Sequence, residues 1–150
     1  MNLNFFKSLF SVFGIVNAEK VNHPIHYNNH PSRIEAIELI AHMNFCLGNA
    51  VKYLFRCHLK GGHEDINKAI WYLEHQVSLD PIPKTELSKE LQSKFEKVIS
   101  AEQNKSLKPV YRNIMNYHFF GYHASVIWES IQILHKLETD MKEGVIDSIL

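Results

Sequence analysis

Residues 44–79 read NFCLGNAVKYLFRCHLKGGHEDINKAIWYLEHQVSL, and this stretch contains two apolar patterns of helical period separated by a glycine pair. The first pattern predicts a helix from Asn44 to Leu59, and the second predicts a helix from His63 to Leu79. Glycine after a basic residue is typical of a helix end, which places the boundary at Lys60-Gly61-Gly62. Because a short connection usually joins helices that lie side by side, we expect these two helices to be antiparallel neighbours.

The flanking sequence also shows helical periodicity. Upstream, Ser32 followed three residues later by Glu35 is the pattern of a capping box, which predicts a helix through about His42. Downstream of the break at Asp80-Pro81-Ile82-Pro83, apolar stripes predict helices over residues 84–104, 110–120 and 122–143, with an interruption at Lys108-Pro109 and a stop at Gly144. No segment alternates as a strand does. The sequence therefore predicts an all-α protein, a compact bundle of five or six helices.

Residue composition and apolar periodicity divide the chain into three parts. Residues 1–18 form an apolar N-terminal segment, residues 19–80 a helical domain, and residues 81–150 a C-terminal helical extension that we expect to pack on it. The apolar run within the first segment is too short to span a membrane. We interpret it as an amphipathic helix that docks on the core or on a partner subunit. A signal peptide ending at Val16-Asn17-Ala18 is the alternative.

Composition excludes several classes of protein. The 150 residues include 16 basic and 16 acidic side chains, so the chain lacks the excess positive charge of a typical nucleic-acid binder. Cys46 and Cys57 are separated by about 16 Å along one predicted helix, which predicts free thiols and a cytoplasmic, reducing compartment. The sequence contains neither a phosphate-loop motif nor the GxGxxG, HExxH or CxxC patterns.

A cationic surface is predicted on the first of the two central helices. Asn49, Lys52, Tyr53 and Arg56 lie three and four residues apart, so they share one face, and Lys60 follows one turn later. Two or three cations beside an amide and a phenol suit a phosphate with an aromatic base or sugar nearby. The same spacing also fits a solvated face paired with nearby acids.

The next helix supplies candidate partners for these cations. Glu64 and Asp65 in its first turn compensate the helix dipole, or they orient Lys52 or Arg56 across the glycine connection. Along the same helix, Asp65 is followed by Lys68 and Tyr72 on one stripe.

Histidines are concentrated in the segment before the first predicted helix. His23, His26 and His30 have a spacing that metal ligands can have, but no cysteine is near them. We instead expect His26 and Tyr27 to contact a phosphate or base, because histidine donates hydrogen bonds to phosphate and shuttles protons near neutral pH.

Helical carboxylates raise the alternative of Mg²⁺-dependent hydrolysis. Glu35 and Glu38 lie one turn apart, and Glu64 with Asp65 follows on a later helix. Such carboxylates hold Mg²⁺ in all-α nucleotide pyrophosphohydrolases. The pattern here is loose, because the second acidic position of the downstream pair is occupied by Asn67.

An ordered set of motifs resembles a known family. HPxHY, LGNAxKYxxR, KGG and EDxxKAxWYLE follow one another across about residues 21–76. They resemble a small phage-encoded family of unknown function that includes a phage nucleotide kinase without a phosphate-loop motif. The resemblance implies transfer of a phosphoryl group from a nucleoside triphosphate to a (deoxy)nucleoside monophosphate. It also implies phage or prophage origin, and with it the cytoplasm of the host cell.

The resemblance assigns roles to named positions. It implies catalytic roles for Lys52, Arg56, Glu64, Asp65 and His26. It implies nucleotide-binding roles for His23, Tyr27, Asn49, Tyr53, Lys60, Lys68 and Tyr72. The donor is a nucleoside triphosphate, and Mg²⁺ is compatible with the sequence but not required by it. We expect nucleotides as partners, a homo-oligomer, and neither nucleic-acid binding nor a membrane span.

Two alternatives stay open beside the kinase. They are the Mg²⁺-dependent pyrophosphohydrolase and a non-catalytic protein that binds a nucleotide or a host protein. We expect Lys52→Ala and Arg56→Ala each to weaken nucleotide binding and to leave the fold intact, because both side chains lie on a polar face.

Overall fold

The computed structural model describes residues 30–58, 62–79 and 86–144, and these contain six α-helices and no strand. The helices are α1 (Ala36–Ile40), α2 (Phe45–Arg56), α3 (Gly62–Ser78), α4 (Lys89–Ala101), α5 (Leu107–Phe120) and α6 (Ser125–Lys142). The predicted all-α bundle is confirmed. The predicted N-terminal docking segment, residues 1–18, lies outside the described residues.

Helix α1 begins later than the capping pattern predicts. Arg33 has a left-handed backbone with a φ of 59°, a conformation that cannot continue a right-handed helix. The residue preceding the helix is Glu35 instead of Ser32, and its backbone N–H donates to Glu38 Oε1 at 2.9 Å. The prediction of Ser32 as the N-cap is therefore wrong.

Helices α2 and α3 form the pair that sequence periodicity predicts. Asn44 caps α2, because its side-chain oxygen accepts a hydrogen bond from the Leu47 N–H at 2.9 Å. Helix α2 ends at Arg56, before the predicted boundary at Leu59. Arg56 contacts Asp65 close to the connection, and Phe45 contacts Tyr72 further from it, so the two helices are antiparallel.

The C-terminal part follows the predicted pattern with one correction. Pro109 lies in the first turn of α5 and does not interrupt it. The first four N–H groups of a helix have no intrahelical acceptor, so proline is tolerated there. The predicted stop at Gly144 is confirmed, because α6 ends at Lys142 and Gly144 has a φ of 68°.

One hydrophobic core contains residues from all six helices. It extends from Leu54 on α2 and Ile66 on α3 to Phe95, Tyr111 and Leu134 on the last three helices. Both cysteines are buried free thiols, as predicted. Within the described residues, no helix combines the length and the apolar character needed to cross a membrane.

Candidate functional site

Most of the predicted site residues that the structure describes lie on one surface, which we call the cationic face. It consists of Asn49, Lys52, Tyr53 and Arg56 on α2, with Asp65, Lys68 and Tyr72 on α3. The predicted site residues His23, His26, Tyr27 and Lys60 lie outside the described residues. Glu64 is exposed on α3 and forms no hydrogen bond or ion pair with the cationic face among the residues described.

An ion pair between Arg56 and Asp65 forms the centre of the cationic face. Arg56 Nε donates to Asp65 Oδ2 and Arg56 Nη2 donates to Asp65 Oδ1, both at 2.8 Å. Lys68 Nζ lies 3.3 Å from Asp65 Oδ1. The Asp65 side chain is 0% exposed and that of Arg56 is 22% exposed, so the bidentate pair is largely desolvated. Asp65 thereby holds two cations in defined positions, with its own charge favoured by the N-terminal end of α3.

The burial of Asp65 changes the expected effect of one substitution. Removing the Arg56 side chain would leave a buried carboxylate without its bidentate partner. Such a loss strongly destabilises a fold, because the remaining charge stays desolvated. The structure therefore reverses the expectation that Arg56→Ala leaves the fold intact.

Three cationic groups lie close to the ring of Tyr53. Lys52 Nζ, Arg56 Cζ and Lys68 Nζ lie 4.9, 5.4 and 5.5 Å from its centroid. The other neighbour of the ring is Tyr72, stacked at 5.8 Å with an interplanar angle of 19°. The electron-rich face of an aromatic ring attracts cations, which favours their positions around Tyr53. Among the described side chains of the cationic face, three positive charges lie beside the carboxylate of Asp65, so positive charge predominates there.

Lys52 contributes most directly to this excess charge. Its ammonium group lies 3.3 Å from Asn49 Oδ1, a neutral acceptor, and it makes no ion pair with any described residue. Asn49 is held in place by a hydrogen bond from its Nδ2 to the Phe45 carbonyl oxygen at 2.8 Å. Lys52 is therefore positioned by a neutral side chain, and its charge is available to an anion.

Two of the four carboxylates considered for Mg²⁺, Glu38 and Asp65, pair with cations of the protein. Glu38 Oε2 lies 3.0 Å from Lys94 Nζ, and Asp65 pairs with Arg56. The pKa of Glu38 is lowered, first by the Glu35 backbone N–H and then by Lys94. In the part of the chain that the structure describes, no three His, Cys, Asp or Glu side chains form a group that could hold a metal ion. The described residues therefore do not form the group of carboxylates with which a pyrophosphohydrolase holds Mg²⁺.

A second group of polar side chains, not predicted from the sequence, lies inside the fold. We call His30, His58 and Glu102 the buried cluster. His30 Nε2 and His58 Nε2 lie 3.3 and 3.0 Å from the same atom, Glu102 Oε2, and Glu102 Oε1 accepts from the Asn104 N–H at 2.7 Å. The His30 and Glu102 side chains are at most 1% exposed. His30 Nδ1 lies 2.8 Å from the Ser32 hydroxyl and 3.2 Å from the Ser32 N–H, and in the tautomer with a hydrogen on Nε2, His30 donates to Glu102.

The buried cluster shifts the pKa values of its members and neighbours. Burial alone raises the pKa of Glu102, but hydrogen bonds from His30, His58 and the Asn104 backbone outweigh it and bring the pKa to about 2. The pKa values of Cys57 and Tyr111 are raised by burial and then by the negative charge of Glu102. The sequence offered no signal for this cluster, because Glu102 is 44 residues from His58 and 72 from His30.

Comparison with known proteins gives a partial match. Residues 21–74 match a family described as a protein of unknown function, DUF3310, and the match spans about a third of the chain. No curated protein and no solved structure matches. The matched segment includes the whole cationic face, His30 and His58, but excludes Glu102.

Proposed function

We propose that the cationic face is the phosphate site of a nucleotide-binding protein that transfers a phosphoryl group between nucleotides. The observation that supports this proposal is the convergence of Lys52, Arg56 and Lys68 on the ring of Tyr53 beside the Asp65 carboxylate. Three cations held so close repel one another, and a bound polyanion relieves that repulsion while it gains charge-assisted hydrogen bonds.

The proposed reaction needs charge neutralisation and positioning more than covalent assistance. The terminal phosphoryl group of a nucleoside triphosphate leaves its diphosphate, and an oxygen of the acceptor monophosphate forms the new P–O bond, so the products are two diphosphates. Lys52 and Lys68 neutralise the phosphate oxygens. Both oxygens of Asp65 hold Arg56 in place before the nucleotide binds. Its guanidinium group can therefore contact the phosphate without a further loss of side-chain entropy.

The remaining roles are those implied by the family resemblance. The resemblance implies that His26 contacts the acceptor phosphate or base and that His23, Tyr27 and Lys60 bind nucleotide. Mg²⁺ bound to the triphosphate is compatible with this arrangement. We propose a homo-oligomer in the cytoplasm of a phage host cell.

Product analysis tests the proposal against its two alternatives. The protein is incubated with a nucleoside triphosphate and each deoxynucleoside monophosphate, with and without EDTA, and the products are separated by chromatography. A kinase forms two diphosphates. A pyrophosphohydrolase forms a monophosphate and pyrophosphate and stops in EDTA. A non-catalytic binder shows thermal stabilisation that follows RT ln(1 + [L]/Kd) without turnover. Either of the last two results overturns phosphoryl transfer.

Lys52→Ala is expected to weaken nucleotide binding by about tenfold to a hundredfold, since a hydrogen bond to a charged group contributes about 1.5–3 kcal/mol. The fold should persist, because among the described residues the ammonium group of Lys52 makes its polar contacts with Asn49 Oδ1 and the Tyr53 ring. The control is Lys136→Ala, which removes an exposed lysine from α6. Isothermal titration calorimetry measures both variants, and equal affinities would remove Lys52 from the phosphate site.

A further inference from the structure

A cleft adjoins the cationic face at the start of α2. Its volume is about 180 Å³, and it is lined by Ile40, Met43, Asn44, Phe45, Gly48 and Asn49. Asn49 belongs to both features, because it lines the cleft and its Oδ1 contacts the ammonium group of Lys52. A molecule seated in the cleft therefore lies next to the ammonium group of Lys52, which makes no ion pair with any described residue.

An aromatic ring stands exposed at this cleft. Phe45 is 74% exposed, although it lies in the first turn of a helix with a well-packed opposite face. Its ring meets Tyr72 edge-on, with centroids 5.9 Å apart and an interplanar angle of 71°. Tyr72 in turn stacks on Tyr53, so aromatic rings run without a break from the cleft to the cations. An exposed phenylalanine in such a position suits stacking by a planar ligand.

Two amide groups at the cleft retain hydrogen-bond donors. Asn44 uses its side-chain oxygen to cap α2, and its NH₂ group has no partner among the described residues. Asn49 Nδ2 donates one hydrogen to the Phe45 carbonyl, and its second hydrogen has no described partner. Each amide NH₂ has two donor hydrogens, so both side chains can still donate to carbonyl oxygens or ring nitrogens of a heterocycle.

The floor of the cleft is apolar and depends on a glycine. A Cβ atom at Gly48 would meet the Ile40 carbonyl oxygen at 3.5 Å and the Ile40 Cβ at 3.6 Å, which are ordinary contact distances. The backbone thus accepts alanine at this position. The absence of a side chain at Gly48 leaves that space to the cleft.

We propose that this cleft is the base subsite of the nucleotide whose phosphates lie on the cationic face. This inference rests on the proposed function and deepens it by assigning the residues that recognise the base. Phe45, Asn49 and Lys52 lie on one stripe of α2, so base and phosphate lie along the helix. Phe45 stacks on the base, while Asn44 and Asn49 donate to its edge.

Titration calorimetry with two probes tests the subsite. The probes are a deoxynucleoside monophosphate, taken in turn with each of the four bases, and deoxyribose 5-phosphate, which has the same phosphate and sugar without a base. We expect the wild-type protein to bind at least one of the nucleotides about tenfold or more tightly than the sugar phosphate, given the contribution of base–aromatic stacking.

Two variants test whether the cleft is responsible for the tighter binding of the nucleotide. Phe45→Ala removes an exposed ring, and Gly48→Ala places a methyl group on the cleft floor. Each variant should reduce the ratio of the affinity for the nucleotide to the affinity for deoxyribose 5-phosphate to near one. The affinity for deoxyribose 5-phosphate itself should not change. Trp128→Ala is the control, because Trp128 is a half-exposed aromatic residue on α6. Circular dichroism verifies that each variant is folded.

The outcomes separate the subsite from the proposed function. If the wild-type protein binds the sugar phosphate as tightly as every nucleotide, or if both cleft variants keep the preference, the base subsite is overturned and the phosphate site stands. If neither probe binds the wild-type protein, the proposed function itself is overturned.

Discussion

Glu102→Gln should lower the free energy of unfolding by about 3 kcal/mol at pH 7. Both carboxylate oxygens of Glu102 accept hydrogen bonds, one from His30 and His58 and the other from the Asn104 N–H. The amide NH₂ of glutamine would therefore face either the Asn104 N–H donor or the two histidine Nε2 atoms, which would have to change tautomer to accept from it. Because the site is buried, water does not reach it to satisfy the mismatched groups.

The effect of Glu102→Gln should depend on pH in a defined direction. The pKa of Glu102 is about 2 in the folded protein, compared with an ordinary value of 4.5. The unfolded chain binds the proton more readily, so this carboxylate stabilises the fold above about pH 4.5 and loses that contribution as the pH falls towards about 2. The difference in stability between wild type and variant should shrink across that window.

Urea denaturation at pH 7, 4.5 and 2.5 measures this difference. Glu96→Gln is the matched control, because Glu96 forms a bidentate but solvent-exposed pair with Arg112. An exposed pair contributes about 1 kcal/mol or less, so this variant should remain close to wild type. If Glu102→Gln also remained within that range at pH 7, the buried cluster would not contribute to stability as its geometry indicates.

Arg56→Ala should both destabilise the fold by about 3 kcal/mol and abolish nucleotide binding. The Asp65 carboxylate is fully buried, and without Arg56 its remaining charged contact is Lys68, 3.3 Å away and 43% exposed. The substitution also removes one of the three cations around Tyr53. Denaturation and calorimetry measure the two effects separately.

A double variant distinguishes lost binding from lost folding. Arg56→Met with Asp65→Leu replaces the buried ion pair by apolar side chains, a change that is often neutral or stabilising. We expect this variant to recover most of the stability that Arg56→Ala loses and still to bind no nucleotide. A stable double variant with wild-type affinity would show that the Arg56 guanidinium group plays no part in binding.

The buried cluster connects the family-like segment to the rest of the chain. His30 and His58 lie within the matched residues 21–74, whereas Glu102 follows α4. Helices α3 and α6 add a further connection, because Asn67 donates to Glu138 at 2.9 Å. Polar side chains of the matched segment, including the buried His30, therefore find hydrogen-bond partners in the C-terminal part of the molecule.

Local patterns in the chain were sufficient to predict the helices and most of the cationic face. Asn49, Lys52, Tyr53 and Arg56 share a surface because an α-helix returns to the same side every three to four residues. The short connection to α3 then brings Asp65, Lys68 and Tyr72 beside them. The predictions of Ser32 as an N-cap and of Pro109 as a helix interruption are wrong. The left-handed backbone at Arg33 and the place of Pro109 in the first turn of α5 depend on the surrounding structure.

Long-range packing alone establishes the buried cluster, the exposure of Phe45 and the burial of Asp65. A helical face can be recognised from spacing, but the side that meets the core depends on which other helices pack there. Asp65 resembles an ordinary first-turn acid in sequence, and burial makes it the group that holds Arg56. Glu102 meets His30 across 72 residues, and no periodic pattern extends over that distance because chain folding, not helix geometry, brings the two together.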